Sequence, residues 1–184
     1  QSTIVAGLSS DAFERTITVS GFSKAYAMTG WRLGYALGPK HIIEAMDAYQ
    51  SHATGNTSSI TQYAGLAALE ADQSCVSQMG EAFNQRRKML VSILNSIPGI
   101  RFANPKGAFY VLADINELLG KTFRGERIVS DLRFSELLME HALVSVVPGT
   151  PFYAPGCLRL SYAADSKKIE EAGQRLSSFV DELV

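Results

Sequence analysis

Two hydrophobic periods alternate along the chain. In "ERTITVS", residues 14 to 20, Ile17 and Val19 alternate with Thr16 and Thr18, the period of two that marks a strand. A second short strand is expected at "LGYALG", bounded by glycines. From Pro39 the spacing lengthens. In "PKHIIEAMDAYQSH", Ile42, Ile43, Met46 and Tyr49 recur at helical spacing behind an opening proline. "TGNTSS" is a turn-rich break whose Ser and Thr can cap the next helix, "ITQYAGLAALEA". A long helix then runs from about Cys75 to Ser96, with Val76, Met79, Phe83, Leu90, Ile93 and Leu94 on one face, and "IPG" stops it.

The remainder alternates again. "GIRFANPKGAFYVLADI" predicts two strands joined by Asn104, Pro105, Lys106 and Gly107. A helix is expected over 130–142, a short strand at "LVSVVPG", another at "CLRLSYA", and a last helix over 166–183 striped by Ile169, Ala172, Leu176, Phe179 and Val180. There is no internal repeat, low-complexity tract or long linker. Mixed strands and helices predict an α/β or α+β class. The long helix is the natural bridge between a first unit and a compact second one.

Composition narrows the partners. The chain has 184 residues, 46% hydrophobic and 19% charged, with a formal net charge of −1. It can bury a real core, and it makes no electrostatic case for nucleic acid or an anionic membrane. No apolar run reaches the roughly 18–20 residues of a membrane span. The start, "QSTIVAGLSS", does not read as a signal peptide. Cys75 and Cys157 are far apart and fit a reducing compartment, hence a cytoplasmic location. His41, His52 and His141 are scattered, so no metal site is expected.

The candidate chemistry lies in "VSGFSKAYAMTGWRLGYALG", residues 19 to 38. Lys24 follows a strand and has apolar neighbours Phe22, Ala25, Tyr26, Ala27 and Met28. Burial there would lower its pKa from about 10.4 and make its amine a nucleophile toward a carbonyl. Arg32 stands eight positions later between Trp31 and Leu33, flanked by Gly30 and Gly34. Its fork suits phosphate, and the glycines let backbone approach a ligand. Ser23 and Thr29 add hydroxyls. The alternative is a glycine-rich hairpin with an ion-paired arginine and a solvated lysine. A lysine for a carbonyl beside an arginine for a phosphate suggests pyridoxal 5′-phosphate (PLP).

"GFSKAYAMTGWRLGY" closely resembles the attachment signature of the class I/II aminotransferases, the fold-type I PLP enzymes, through Gly21, Phe22, Ser23, Lys24, Arg32, Leu33 and Gly34. The resemblance implies that Lys24 holds PLP as a Schiff base and that Arg32, helped by Ser23, binds its phosphate. Some relatives have a serine in place of Gly21 that also touches the phosphate, so one donor fewer is expected here. "PGTPFYAPGCLRLSYA", residues 148 to 163, is the second informative stretch. On a strand, Leu158, Leu160 and Tyr162 share one face and Arg159 and Ser161 the other. Arg159 alone reads first as a core-edge salt bridge. The resemblance makes it the receptor of the substrate α-carboxylate. Most relatives have glycine at Tyr153, a departure that would narrow the loop beside that site. "ANPKGAFYVLADI" resembles the opening of the small domain's sheet. "SHATGNTSSITQYAGLAAL" resembles a subunit-interface segment near the partner's cofactor, so a homodimer is implied. Asn56 and Thr57 read there as trans contacts or as a helix-capping turn.

The resemblance spans essentially the whole chain and places it in the C-terminal half of such an enzyme: an α/β chain with the end of the large PLP-binding domain over 1–75 and the linking helix and α+β small domain over 76–184. The family's pyridinium-binding aspartate lies well upstream of the lysine. Only 23 residues precede Lys24 here, and Asp11 is too close, in a polar turn. The chain alone is therefore not expected to transaminate. The implied activity is an aminotransferase moving an amino group between an amino acid, aspartate foremost, and a 2-oxo acid. Aromatic, prephenate or alanine specificity, a PLP lyase, the effector half of a PLP-binding transcriptional regulator and a fragment that binds nothing stay open.

Overall fold

The computed structural model describes residues 4–184. The chain divides into two compact units, Gln1–Ser77 and Gln78–Val184.

The first unit is built around a hairpin. Helix α1 (Ser10–Glu14) is capped by the Ser9 side chain, which accepts from the Ala12 N–H. That cap makes "SSDAFE" a helical turn rather than a loop. The strand expected from residue 14 therefore starts later, as β1 (Thr18–Gly21). It pairs antiparallel with β2 (Gly34–Leu37), with Gly21 opposite Gly34 and Val19 opposite Ala36. A β-carbon on Gly21 would stand 3.1 Å from the Leu33 carbonyl oxygen, and one on Gly34 would stand 3.1 Å from that of Ser20. The two glycines thus let the strands close tightly at the end that carries the loop. Helix α2 (Phe22–Ala25) follows β1 directly. Helices α3 (Lys40–Ala53) and α4 (Ser59–Glu70) complete the unit with the first turn of α5 (Ser74–Asn95). Ser58 stands at the N-cap of α4 but makes no side-chain capping bond, unlike the cap expected there.

The second unit is a four-stranded antiparallel sheet in the order β3-β4-β8-β7, with β3 (Arg101–Phe102), β4 (Tyr110–Asp114), β7 (Val147–Pro148) and β8 (Cys157–Ser161). The sequence pattern also passes over a small hairpin, β5 (Thr122–Phe123) with β6 (Glu126–Arg127), whose strands are too short to show a period. Alternate residues of the central strands, Val111, Ala113, Leu158 and Leu160, turn inward. They meet helices α6 (Asp131–Ala142) and α7 (Ser166–Asp181) and the last turns of α5, through Leu90, Leu94, Phe134, Leu138, Ile169 and Leu176. Phe179 stacks on Phe123 at 4.4 Å and meets Phe134 edge-on at 5.3 Å. Gly173 admits Ile93 of α5: a β-carbon there would stand 2.6 Å from its side chain. The mixed strand-and-helix class expected from the pattern is the one observed.

Candidate active-site residues in each unit

In the first unit, Lys24 and Arg32 are carried by the connection between β1 and β2. The Phe22 N–H donates to the Leu33 carbonyl at 3.2 Å and closes this connection at its neck. Phe22 is buried, with Tyr26 and Tyr35 rings 5.4 Å and 5.8 Å away. Gly65 of α4 lies under it: a β-carbon there would stand 2.3 Å from Leu33 and 3.5 Å from the Phe22 ring. Lys24 lies in the single turn of α2, and the Tyr26 hydroxyl donates to Gln73 Oε1 at 3.0 Å. The loop is thus pinned from both sides of the lysine.

Two non-glycine residues in this connection adopt left-handed backbone, Ala27 and Arg32, each at φ +53°. Such positions cost on the order of 1 kcal/mol and persist where surrounding contacts fix them. At Arg32 the turn carries its side chain back toward its own loop, where Nη1 donates to the Thr29 carbonyl at 3.1 Å. That uses one of five guanidinium donors. Arg32 makes no ion pair among the described residues, and no acidic residue occurs between Glu14 and Glu44. An amine, a guanidinium and the half-buried Ser23 hydroxyl in an acid-free segment form a donor set suited to an aldehyde phosphate. The residues present therefore fit PLP. Lys24 itself is exposed, so the burial expected to activate its amine is not provided by this unit.

Arg159, in the second unit, lies mid-strand on β8, opposite Leu112 on one side and Val147 on the other. Its inward neighbours Leu158 and Leu160 are buried, while Arg159 is half-buried on the outer face. That is the predicted division of faces. Its guanidinium carbon sits 4.7 Å from the Phe152 ring centre and 5.5 Å from that of Tyr110. No ion pair to Arg159 occurs among the described residues, so the core-edge salt bridge is not formed. Two aromatic faces instead orient the fork and leave its donors for a carboxylate.

The loop between β7 and β8 holds Phe152, and its anchor was not legible in the sequence. Asp131, at the start of α6, is 2% exposed. Its Oδ2 accepts from the Thr150 N–H and its Oδ1 from the Thr150 hydroxyl, each at 2.7 Å. Burial pushes this carboxyl up, but the hydrogen bonds from Thr150 and the Gly156 backbone outweigh it and hold the group below the usual aspartate value. The sequence signal was Ser130-Asp131 at a helix start, which reads only as an N-cap. Tyr153, beside Phe152, is left-handed at φ +58° and fully exposed. Asn56 is exposed, and the Thr57 carbonyl accepts from Gln62 Nε2 at 2.7 Å. Among the described residues no group of three His, Cys, Asp or Glu is placed to hold a metal ion, and no helix is long and apolar enough to cross a membrane.

The family model of aminotransferases of class I and II matches residues 2–176. An aspartate aminotransferase of Streptomyces avermitilis is 44% identical over 169 residues, covering 92% of this chain and 41% of that protein. An aspartate/prephenate aminotransferase of Cereibacter sphaeroides is 45% identical over 168 residues, covering 91% and 42%. The crystal structure of an aspartate aminotransferase from Rhizobium meliloti superposes with a TM-score of 0.93 at 43% identity, over 97% of this chain and 45% of that one. The chain thus spans less than half the length of the relatives it matches.

Proposed function

Because the chain belongs to the class I and II aminotransferases and has the α/β fold of their C-terminal portion, we propose that it is part of a PLP-dependent aminotransferase acting on aspartate. The observation that carries this is the connection between β1 and β2, which presents Lys24 and Arg32 on a closed loop with no acidic neighbour in the sequence. Aspartate rests on relatives named for it, and prephenate specificity is the second reading because other relatives are named for both.

In this reading Lys24 Nζ would hold the cofactor, and its amine, once free, would accept the proton leaving the substrate Cα. Bound PLP supplies the electron sink for the Cα charge. Arg32 pairs with the cofactor phosphate, and the Ser23 hydroxyl donates to it. Arg159 takes the substrate α-carboxylate in a two-point pair that fixes how Cα is presented. A 2-oxo acid is the second substrate. The exposed amine of Lys24 needs cover from polypeptide outside these 184 residues to exclude water. A homodimer, with Asn56 and Thr57 facing the partner's cofactor, and a cytoplasmic location belong to the same proposal.

Borohydride reduction of the native full-length protein, followed by a peptide map, tests it. A pyridoxyl adduct on Lys24 is expected. An unmodified Lys24, or an adduct on another lysine, overturns the assignment.

A further inference from the structure

The geometry points to Asp131 as a positioning residue for substrate binding, acting through the 149–157 loop on the aromatic face that orients Arg159. The inference rests on Arg159 being the carboxylate receptor.

Asp131 is a buried charge with no ion-pair partner among the described residues. A lone buried carboxylate is costly unless its lone pairs are filled. Here neutral donors of one loop residue fill them: the Thr150 N–H and the Thr150 hydroxyl. Both donors belong to Thr150, so a single side chain ties the head of the loop to the start of α6. The loop is also closed on itself. The Gly149 N–H donates to the Cys157 carbonyl at 2.7 Å, and the Phe152 and Ala154 N–H groups both donate to the Gly149 carbonyl, at 2.7 Å and 3.1 Å. Phe152 therefore sits on a short backbone turn with Thr150 at its start. Phe152 is 53% exposed, so packing alone does not fix its ring. The turn fixes it, and Asp131 fixes the turn.

The chain of contacts runs from Asp131 to Thr150, from Thr150 through the turn to Phe152, and from Phe152 to the guanidinium of Arg159 at 4.7 Å. Asn in place of Asp keeps the shape but gives up one acceptor oxygen. Thr150 then loses part of its anchor while the core is untouched. The effect belongs on substrate binding rather than on the proton transfer at Lys24.

The test uses the full-length enzyme carrying Asp131→Asn, Thr150→Val, Thr150→Ser or Arg159→Lys, assayed where each is folded. Asp131→Asn and Thr150→Val are expected to raise KM for both the amino acid and the 2-oxo acid by roughly tenfold, below the ~100-fold an ångström of misplacement can cost. Their kcat and the cofactor's absorption spectrum are expected to stay unchanged. Thr150→Ser keeps both donors and is expected to restore KM. A lower melting temperature with wild-type KM in both Asp131→Asn and Thr150→Val makes Asp131 merely structural and overturns the inference. If Asp131→Asn does not fold, Thr150→Val decides by the same readout. A raised KM in Arg159→Lys beside unchanged KM in the other variants rejects Asp131 alone. An unchanged KM in Arg159→Lys rejects the carboxylate reading and this inference together.

Discussion

The two units carry their functional side chains by opposite means. In Gln78–Val184, Arg159 lies on a strand whose other face is sealed into a continuous apolar core. In Gln1–Ser77, Lys24 and Arg32 lie on a loop with little core beneath it: Phe22 and Met28 are its buried hydrophobic residues. Val19, Leu37, Tyr49, Ile60 and Tyr63 are each more than half exposed in that unit. Position is set there by backbone closure, by glycines that permit close approach, and by two left-handed residues. A packed sheet holds a residue by volume, whereas a closed loop holds it by hydrogen bonds and conformation. The first fails when a core side chain is cut. The second tolerates side-chain loss but depends on what covers its apolar surface.

The largest expected effect breaks function in the first unit without touching its fold. Lys24→Ala in the full-length enzyme should lower kcat by at least about 10⁴-fold, since a positioned proton acceptor and the cofactor tether are lost together. Lys24 is exposed in the 184-residue chain, so the melting temperature of that chain should not move. Turnover within tenfold of wild type would leave the lysine a surface charge.

A stability contrast sharpens the difference between the units. Phe134→Ala removes a fully buried ring packed on Phe179 and should cost about 3–5 kcal/mol in denaturant unfolding of the second unit. Tyr63→Ala removes a side chain that is 73% exposed and should stay within about 0.5 kcal/mol in the 184-residue chain. In the full-length protein the same Tyr63→Ala should cost more, because longer polypeptide or a partner subunit would cover that surface. An equally small cost in both contexts would mean that the apolar surface of the first unit faces water in the longer protein too.

Legibility followed the same division. The second unit's central strands, unlike its β5–β6 hairpin, were readable because a sheet buried on one face shows its period: Val111 and Ala113, then Leu158 and Leu160, mark their strands unaided. In the first unit, α1 was missed because its start depends on the Ser9 cap, and "SSDAFE" reads as a turn by composition. Lys24 and Arg32 were singled out by their residue types and the signature's spacing, not by any periodic signal. The expected burial of Lys24 failed because apolar neighbours in sequence do not make apolar cover in space. Asp131 was invisible because its partner, Thr150, lies nineteen positions on, and nothing local shows a carboxylate reaching that far.

The smallest expected effect concerns Tyr153, where the structure and the family's pattern meet. The resemblance implies glycine at the position of Tyr153, and its backbone is left-handed at φ +58°. Its side chain is fully exposed, so removing it forfeits no burial. Tyr153→Gly relieves about 1–2 kcal/mol of left-handed strain, against about 0.5–1 kcal/mol of added chain entropy in the unfolded state. The net should be a gain near 0.5 kcal/mol, read as a small rise in the denaturant midpoint. The loop's anchors at Asp131 and Gly149 are untouched, so KM should move only if the ring itself crowds the approach to Arg159. A lower KM with bulky amino acids and an unchanged one with small ones would make Tyr153 a size filter. A loss of stability would mean that the ring is packed against polypeptide beyond these residues, and that this edge of the second unit, like the first unit, is completed from outside.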